Sequence, residues 1–497
     1  MPNPTYSSYN LSCWIFLRLL GLAYAAAFFS MFVQIVGLIG DQGILPASRF
    51  LELARAQLGA DCFSGIPTLF WLNCSDGFLQ FLCLAGGTLA LLVVLGLFTG
   101  PALLLCWLFY LSLINVGQDF LSFQWDILLL EAGFLAIFLA PWQIISPPWQ
   151  LGRFKASIPE PSMIVIWLLR WLLFRLIFES GLVKLASGDP TWASLTALNY
   201  HYFTQPLPTP MAWYAQQLPE WFQKFSVGSV FFIELLVPFL IFTPRLIRHF
   251  AAAALIFLQL LIAITGNYAF FNLLTIALCF LLVDDQLLSR LLPGFLVARI
   301  CAACQPRWPT IRRATSIVVA SLIGLLSISH FFHRVPMPTF IQGLLEPTER
   351  YYLFNSYGLF AVMTTSRLEI EVEGSNDQKE WHAYEFKYKP GDLNDAPCIV
   401  APHQPRLDWQ MWFAALSDWR STPWFPNFMT RLLQGSPPVL VLLKSNPFPM
   451  TPPKYIRAQL YSYTFTDPSE KAKTGNWWHR QYAGEYFPTI SLNDLRQ

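Results

Sequence analysis

Apolar residues in this chain come in runs of helical length. They fall at roughly 13–39, 77–98, 101–116, 124–142, 162–186, 227–243, 250–265, 268–283 and 314–332. A helix rising 1.5 Å per residue needs about 20 apolar residues to cross a bilayer. The pattern therefore predicts an α-helical polytopic membrane bundle of about nine transmembrane helices, occupying residues 1–332. The runs on either side of Gly266 and Asn267 read either as a hairpin or as one long bent helix.

Beyond residue 333 the pattern changes. RLEIEVEG and WHAYEFKYKPG alternate polar and apolar positions around a Ser-Asn-Asp turn, which predicts a β-hairpin. Helices are expected near 409–417 and 427–433, then strands over VLVLLK and YIRAQLYSYTFT. Residues 333–497 thus read as an extracytoplasmic, β-rich α+β C-terminal domain.

Two connections are long. Residues 40–76 contain PASRFLELARAQLG, whose Phe50, Leu51, Leu53 and Leu58 suit an amphipathic helix lying on the membrane surface. Residues 187–226 are rich in Trp, Tyr and Pro, as an interfacial cap would be. With the N-terminus in the cytosol, the inner loops hold Arg153, Lys155, Arg245, Arg248, Arg290, Arg299, Arg307, Arg312 and Arg313. The outer loops before the tail then hold Arg49, Arg55 and Lys224. That asymmetry predicts a cytosolic N-terminus and a tail on the opposite side of the membrane.

Composition agrees with the pattern. Of 497 residues, 55% are hydrophobic and 12% charged, about half the charge of a soluble domain. A net charge of +2 supplies no field for nucleic acid, so that partner class is excluded, and membrane lipid is the expected surrounding. MPNPTYSSYNLS lacks the basic segment of a signal peptide, so the first run is expected to remain as a helix. Few lysines and the absence of a retention signal at the C-terminus favour a bacterial inner membrane over the endoplasmic reticulum. Cys62 and Cys74 share one loop and are a candidate disulfide, while Cys301 and Cys304 form an isolated CxxC.

Charges inside the apolar runs are the candidate chemistry. Arg18, Asp126, Glu131, Arg170, Arg175, Glu179, Lys184 and Glu234 all fall within or beside predicted spans. Four acids and four bases are the balance that pairing at low dielectric requires. In FRLIFESGLVKLASGDPTW, Arg175 and Glu179 are i,i+4 neighbours and read as partners, whereas Lys184 lacks a local one. The structural reading is an ion-pair network that fixes the bundle. The functional reading is a polar cavity with Lys184, Glu179 and Arg175 as candidate catalytic groups and Lys184 as base. Gln118, Asp119 and Asp126 gather at one span end and Asn267 at another, forming an expected polar outer rim.

No nucleotide, metalloprotease or hydrolase motif is present, and the histidines are too scattered to predict a metal site. His330 and His333 are three apart at a span end, where interfacial histidines are common. No cofactor is expected. In the tail, PHQPRLDWQMW concentrates His403, Arg406, Asp408 and Trp409. It reads as a helix start capped by Asp408, with the tryptophans turned inward, or as a client-binding surface.

Long segments resemble one known family. NVGQDFLSFQWDILLLEAGFLAIFLAPW, WLLRWLLFRLIFESGLVKLASGDPTWASLTALNYHYFTQPLPTPMAWYAQQLP, ITGNYAFFNLLT, IEVEGSNDQKEWHAYEFKYKPGD and PHQPRLDWQMWFAAL are similar, in order, to the lipase maturation factor family. The resemblance implies a membrane-bound factor that helps secreted client proteins such as lipases fold and assemble. It further implies the endoplasmic reticulum in animals and a lumenal C-terminal domain. SGLVKLASGDPTW also resembles the lysine-bearing segment of the vitamin K-dependent gamma-carboxylase family. That shorter resemblance implies the alternative of a membrane-embedded modifying enzyme with a lipophilic cofactor and Lys184 as base.

Overall fold

The structure is a computed structural model describing residues 8–144, 158–305, 310–331, 343, 345 and 348–494. The bundle is assembled around α1 (Asn10–Phe32), with a surface helix α2 (Ala47–Leu58) and then α3 (Asp76–Leu95), α4 (Thr99–Val116) and α5 (Gln124–Leu139). α1 lies directly against α3. A Cβ on Gly86 would stand 2.4 Å from the Phe28 ring, so the close approach of these two helices requires glycine there. In α2, Ala47, Leu51 and Ala54 turn inward, whereas Leu53 and Leu58 stay exposed.

α5 is buried on nearly every side, as a central helix should be, and its only charges, Asp126 and Glu131, are buried with the rest. α6 (Met163–Ala186) follows and carries Arg170, Arg175, Glu179 and Lys184, all turned inward. α7 (Glu220–Phe231) runs on through a π turn, Phe232–Leu236, into a 3₁₀ segment, Val237–Phe242. Pro238 sits at the start of that segment, where its missing N–H prevents a regular helix. α8 (Arg245–Thr265) and α9 (Phe271–Phe280) form two separate helices, and α10 (Asp285–Leu291) breaks from α9 at 114°. α11 (Thr310–Phe331) completes the bundle as described.

Buried cations satisfy the carbonyls freed at the break. Arg170 donates to Leu281 O at 3.0 and 2.8 Å, and Arg248 donates to Leu282 O at 3.0 Å. Asp285 accepts from the Asn10 and Leu11 N–H groups at 2.8 Å each, capping α1 across the fold.

Among the described residues, six helices are long and apolar enough to cross a membrane, or seven if the bent pair counts as one span. About nine were expected from the runs. The difference lies at α5, which has 16 residues, and at α6, which carries four charged residues. The 314–332 run extends past the end of α11, and residue 332 lies outside the described residues.

In the tail, β1 (Arg367–Ser375), β2 (His382–Ala383), β3 (Tyr455–Phe465) and β4 (Trp478–Ser491) form an antiparallel sheet in the order β2-β1-β3-β4. The hairpin expected at the Ser-Asn-Asp turn exists but pairs only two residues of β2. The principal partner of β1 is β3, from Arg367↔Tyr463 to Ser375↔Tyr455. VLVLLK does not form a strand. Pro437 opens a helical turn, Pro437–Leu440, and the prolines cannot donate to a ladder. α12 (Arg406–Ala415) and α13 (Trp424–Leu433) match the expected helices, and Trp409, Phe425 and Ile456 share one continuous apolar core with the bundle.

Candidate functional site

Of the eight charges in the apolar runs, Arg170 holds the Leu281 carbonyl and Arg18 donates to Val93 O at 2.9 Å, while six fall into three buried clusters. In the first, Arg175 pairs with Glu131 of α5, and both side chains are fully buried. Glu131 Oε2 also accepts from the Asn355 N–H and Nδ2 at 3.0 Å each and from the Tyr357 hydroxyl at 2.9 Å. The Arg175 guanidinium donates to Asn355 O at 2.8 Å and lies 3.7 Å over the Phe354 ring. Glu179 Oε2 accepts the Tyr357 N–H at 2.9 Å, and His330 Nε2 stands 3.3 Å from its Oε1. The expected Arg175–Glu179 pair is therefore replaced by partners from other segments. A desolvated charge gains more from several fixed donors than from one flexible neighbour on the same helix.

In the second cluster Lys184 Nζ meets Glu234 Oε2 at 2.7 Å and donates to Ser180 O at 3.1 Å. Lys184 thus has a partner that spacing along its own helix could not reveal. Glu234 is supplied by the π turn of α7. That turn approaches α6 at Gly181, where a Cβ would stand 2.9 Å from Glu234 Cβ. His201 lies nearby, with Tyr268 Oη 3.3 Å from Nε2, and the Tyr268 hydroxyl donates to Gln205 at 2.8 Å. Burial, reinforced by Lys184, pushes the His201 imidazole down to about 4, so it is neutral at physiological pH.

The third cluster joins tail to bundle. Arg406 of α12 grips Asp126 of α5 at 2.5 and 2.8 Å, and the Tyr110 hydroxyl donates to the same carboxylate at 2.5 Å. His403 Nδ1 lies 2.9 Å from the Ser30 hydroxyl. Burial and the charges of Arg406 and Lys387 push that imidazole down to about 4. Asp408 does not cap its helix, because Pro405 holds the cap position. Its carboxylate instead accepts the Tyr388 and Lys389 N–H groups at 2.9 Å each, and burial raises its pKa. Trp409 packs edge-on against Trp125, 4.8 Å between centroids. His403, Arg406, Asp408 and Trp409 accordingly face the bundle or the loops beside it.

The polar rim is the other half of this seam. Asn267 donates to Leu207 O and Cys398 O at 3.1 and 2.8 Å and accepts from the Val400 and Ala401 N–H groups at 2.7 and 3.0 Å. Gln118 donates to Leu45 O at 3.1 Å, and the Asp119 carbonyl accepts from Gln410. Cys62 and Cys74 are both free thiols, correcting the candidate disulfide. Cys62 is buried in the helical turn Cys62–Gly65, and Cys74 is half-buried in the turn preceding α3. Among the described residues no cluster of His, Cys, Asp and Glu could hold a metal ion, and His333 lies outside them.

Bundle and tail each match a known sequence family. Residues 11–290 match a family described as the lipase maturation factor transmembrane domain, and residues 353–488 match the lipase maturation factor C-terminal domain. The chain belongs to the lipase maturation factor family. Lipase maturation factor 2 of Gallus gallus is 40% identical over 97% of this chain and 81% of its own length. Lipase maturation factor 2 of Homo sapiens is 38% identical over 97% and 82%, and lipase maturation factor 1 of Mus musculus is 36% identical over 97% and 88%. No solved structure matches. These vertebrate relatives lend the expected bacterial origin no support.

Several residues that hold this family member together escaped the sequence reading. Asn355 and Tyr357 carry no charge and no motif, yet they complete the Glu131 site. Arg367 on β1 donates to Phe203 O and Pro206 O at 2.9 and 2.8 Å, pinning the 187–226 connection to the sheet. The one available signal was a lone arginine opening an alternating strand, and it does not disclose its partner.

Proposed function

We infer that this chain is a membrane-embedded maturation factor assisting the folding and assembly of exported lipases. The observation that carries the reading is the length of the match: relatives named lipase maturation factor align with 97% of this chain. The geometry is consistent with a scaffold. Arg175, Glu179 and Lys184 are engaged with partners from other segments, as positioning groups would be. The enzyme alternative needs Lys184 as a free base, and its contact with Glu234 disfavours that role.

The test is lipase co-expression in cells lacking the endogenous factor. Secreted lipase activity per unit of lipase protein should rise with this chain and stay low with an empty vector. Equal specific activity in both would overturn the reading. A mass difference in the lipase that depends on this chain would revive the enzyme alternative.

The same reading places bundle residues 1–332 in a membrane, the endoplasmic reticulum of a eukaryote or the inner membrane of a bacterium, with the N-terminus cytosolic and the tail 333–497 on the opposite side. Arginine-rich inner loops support that orientation. An Asn-X-Ser acceptor engineered into the exposed turn at 376–380 should be glycosylated, and one at 291–293 should not. The reverse pattern would invert the topology.

A further inference from the structure

Strands β1 and β3 turn Ile370, Val372, Ile456 and Ala458 into the core on one face of the sheet. The other face of an antiparallel sheet commonly meets water. Here β1, β3 and β4 place Glu369, Glu371, Tyr461, Tyr463, Trp478 and Arg480 on it, and segment 384–398 lies over them. That roof is tied down at several points. Lys389 Nζ meets Glu369 at 2.8 Å, the Tyr463 hydroxyl donates to Gly391 O at 2.8 Å, and the Trp477 N–H donates to Leu393 O at 2.8 Å. A half-open cavity of about 460 Å³ remains between roof and sheet. Its size falls within the range of about 300–1,000 Å³ typical of small-ligand sites.

The charges restrict what can enter. Glu371 is held by Arg480 at 2.8 Å, Glu369 by Lys389, and Asp395 by Lys444 at 3.0 Å. A charged ligand would have to displace one of these partners, whereas a neutral one leaves them in place. The ion pairs set carboxylate oxygens beside N–H donors, and a hydroxyl can donate to the first while accepting from the second.

Polar groups on aromatic rings add to this. Trp478 is 1% exposed, yet its indole N–H donates to no group among the described residues. The Tyr461 hydroxyl and the Asn476 side-chain amide line the same cavity and likewise make no hydrogen bond among the described residues. A sugar ring matches such a wall, because its C–H face packs on aromatic rings while its hydroxyls take the free donors and acceptors. An extended peptide fits less well. It is held through backbone pairing along a strand edge, and the floor here is a sheet face of side chains.

We propose that this cavity binds a short neutral saccharide, free or carried as a glycan on an exported protein. Access to exported glycans rests on the orientation proposed above, and binding itself does not. Because binding is measured with no lipase present, its failure leaves the maturation reading untouched.

The test applies the purified full-length chain in nanodiscs to an array of neutral oligosaccharides. The same oligosaccharides capped with sialic acid form the anionic arm, and blocked extended peptides form the peptide arm. Signal should appear on neutral oligosaccharides, vanish with excess of the best-bound one in solution, and be weak in the other two arms. Titration with that free saccharide reads a soluble ligand. Capture of ribonuclease B, which carries a neutral mannose-rich glycan, but not of ribonuclease A, the same polypeptide without it, reads a protein-borne one. Tyr461→Ala and Asn476→Ala should each weaken binding about tenfold while keeping a monodisperse elution profile. If Tyr461→Ala does not fold, Asn476→Ala decides, since its amide holds no other described group. No signal above empty nanodiscs, equal signal from the sialylated or peptide arm, or unchanged binding by Asn476→Ala would each overturn the proposal.

Discussion

Arg406 and Asp126 lie far apart in sequence, yet they meet in a two-pronged contact with both side chains fully buried. The pair joins the tail helix α12 to the central bundle helix α5, and Tyr110 and the Phe120 carbonyl satisfy further valences. Removing one member leaves the other charged and desolvated, which costs about 3–5 kcal/mol. Arg406→Met and Asp126→Leu should each lower the melting temperature in detergent sharply and expose the tail to protease. The double variant should recover much of the loss, because two apolar side chains can fill the space without a stranded charge. Additive losses would show that the contact contributes little.

The Arg175–Glu131 pair orders a different part of the chain, the segment around Asn355 and Tyr357. Glu131→Ala removes an acceptor shared by three donors of that segment and strands Arg175. Hydrogen exchange should then accelerate at the amides of Asn355 and Tyr357, with smaller effects in β3. The α6 helix itself should persist, since its backbone ladder does not depend on the pair. Unchanged protection at both amides would refute this account of the segment.

For Lys184, structural and chemical roles separate cleanly in a paired design. Lys184→Met alone leaves Glu234 buried without its cation, and a destabilisation of about 3–5 kcal/mol is expected. Combining it with Glu234→Leu should restore folding, and lipase specific activity should return with it. Restored folding with maturation still abolished would mean that the ammonium group does chemistry or grips a client.

Much of this was legible in the sequence, and what was not has physical causes. Apolar runs announce helices because a buried backbone must satisfy itself internally, and α1, α3, α4 and α8 lie where the runs fall. The same runs cannot separate a helix facing lipid from one enclosed by protein, so α5 reads as an ordinary span. Spacing along a helix shows which charges share a face, which suggested Arg175 with Glu179. It is silent about neighbours from other helices, and the actual partner, Glu131, is 44 residues away. β4 escaped notice because it is bulged and mostly exposed, which erases the alternation that marks a strand. The concentration of His403, Arg406, Asp408 and Trp409 was visible from the start. Whether those side chains faced a client or the bundle depended on the path of the whole chain.

The inward position of His403 makes a prediction about pH. Its imidazole has an ordinary value of 6.5 and is pushed down to about 4 by burial and by Arg406 and Lys387. Above pH 6.5 both folded and unfolded chains leave it neutral, so it adds no slope. As pH falls through the window from 6.5 to about 4, the unfolded chain takes up a proton that the folded chain refuses. Stability is therefore lost on acidification. His201 acts in the same direction, whereas Asp408, with its carboxyl raised by burial, opposes both. Because several groups titrate together, the diagnostic quantity is a difference between proteins. His403→Gln keeps a polar group near Ser30 and removes the titration. Melting temperatures measured from neutral pH down to about 4 should fall less steeply for this variant than for the parent. Parallel curves would mean that the imidazole titrates normally in the folded protein and that the seam between tail and bundle is open to water.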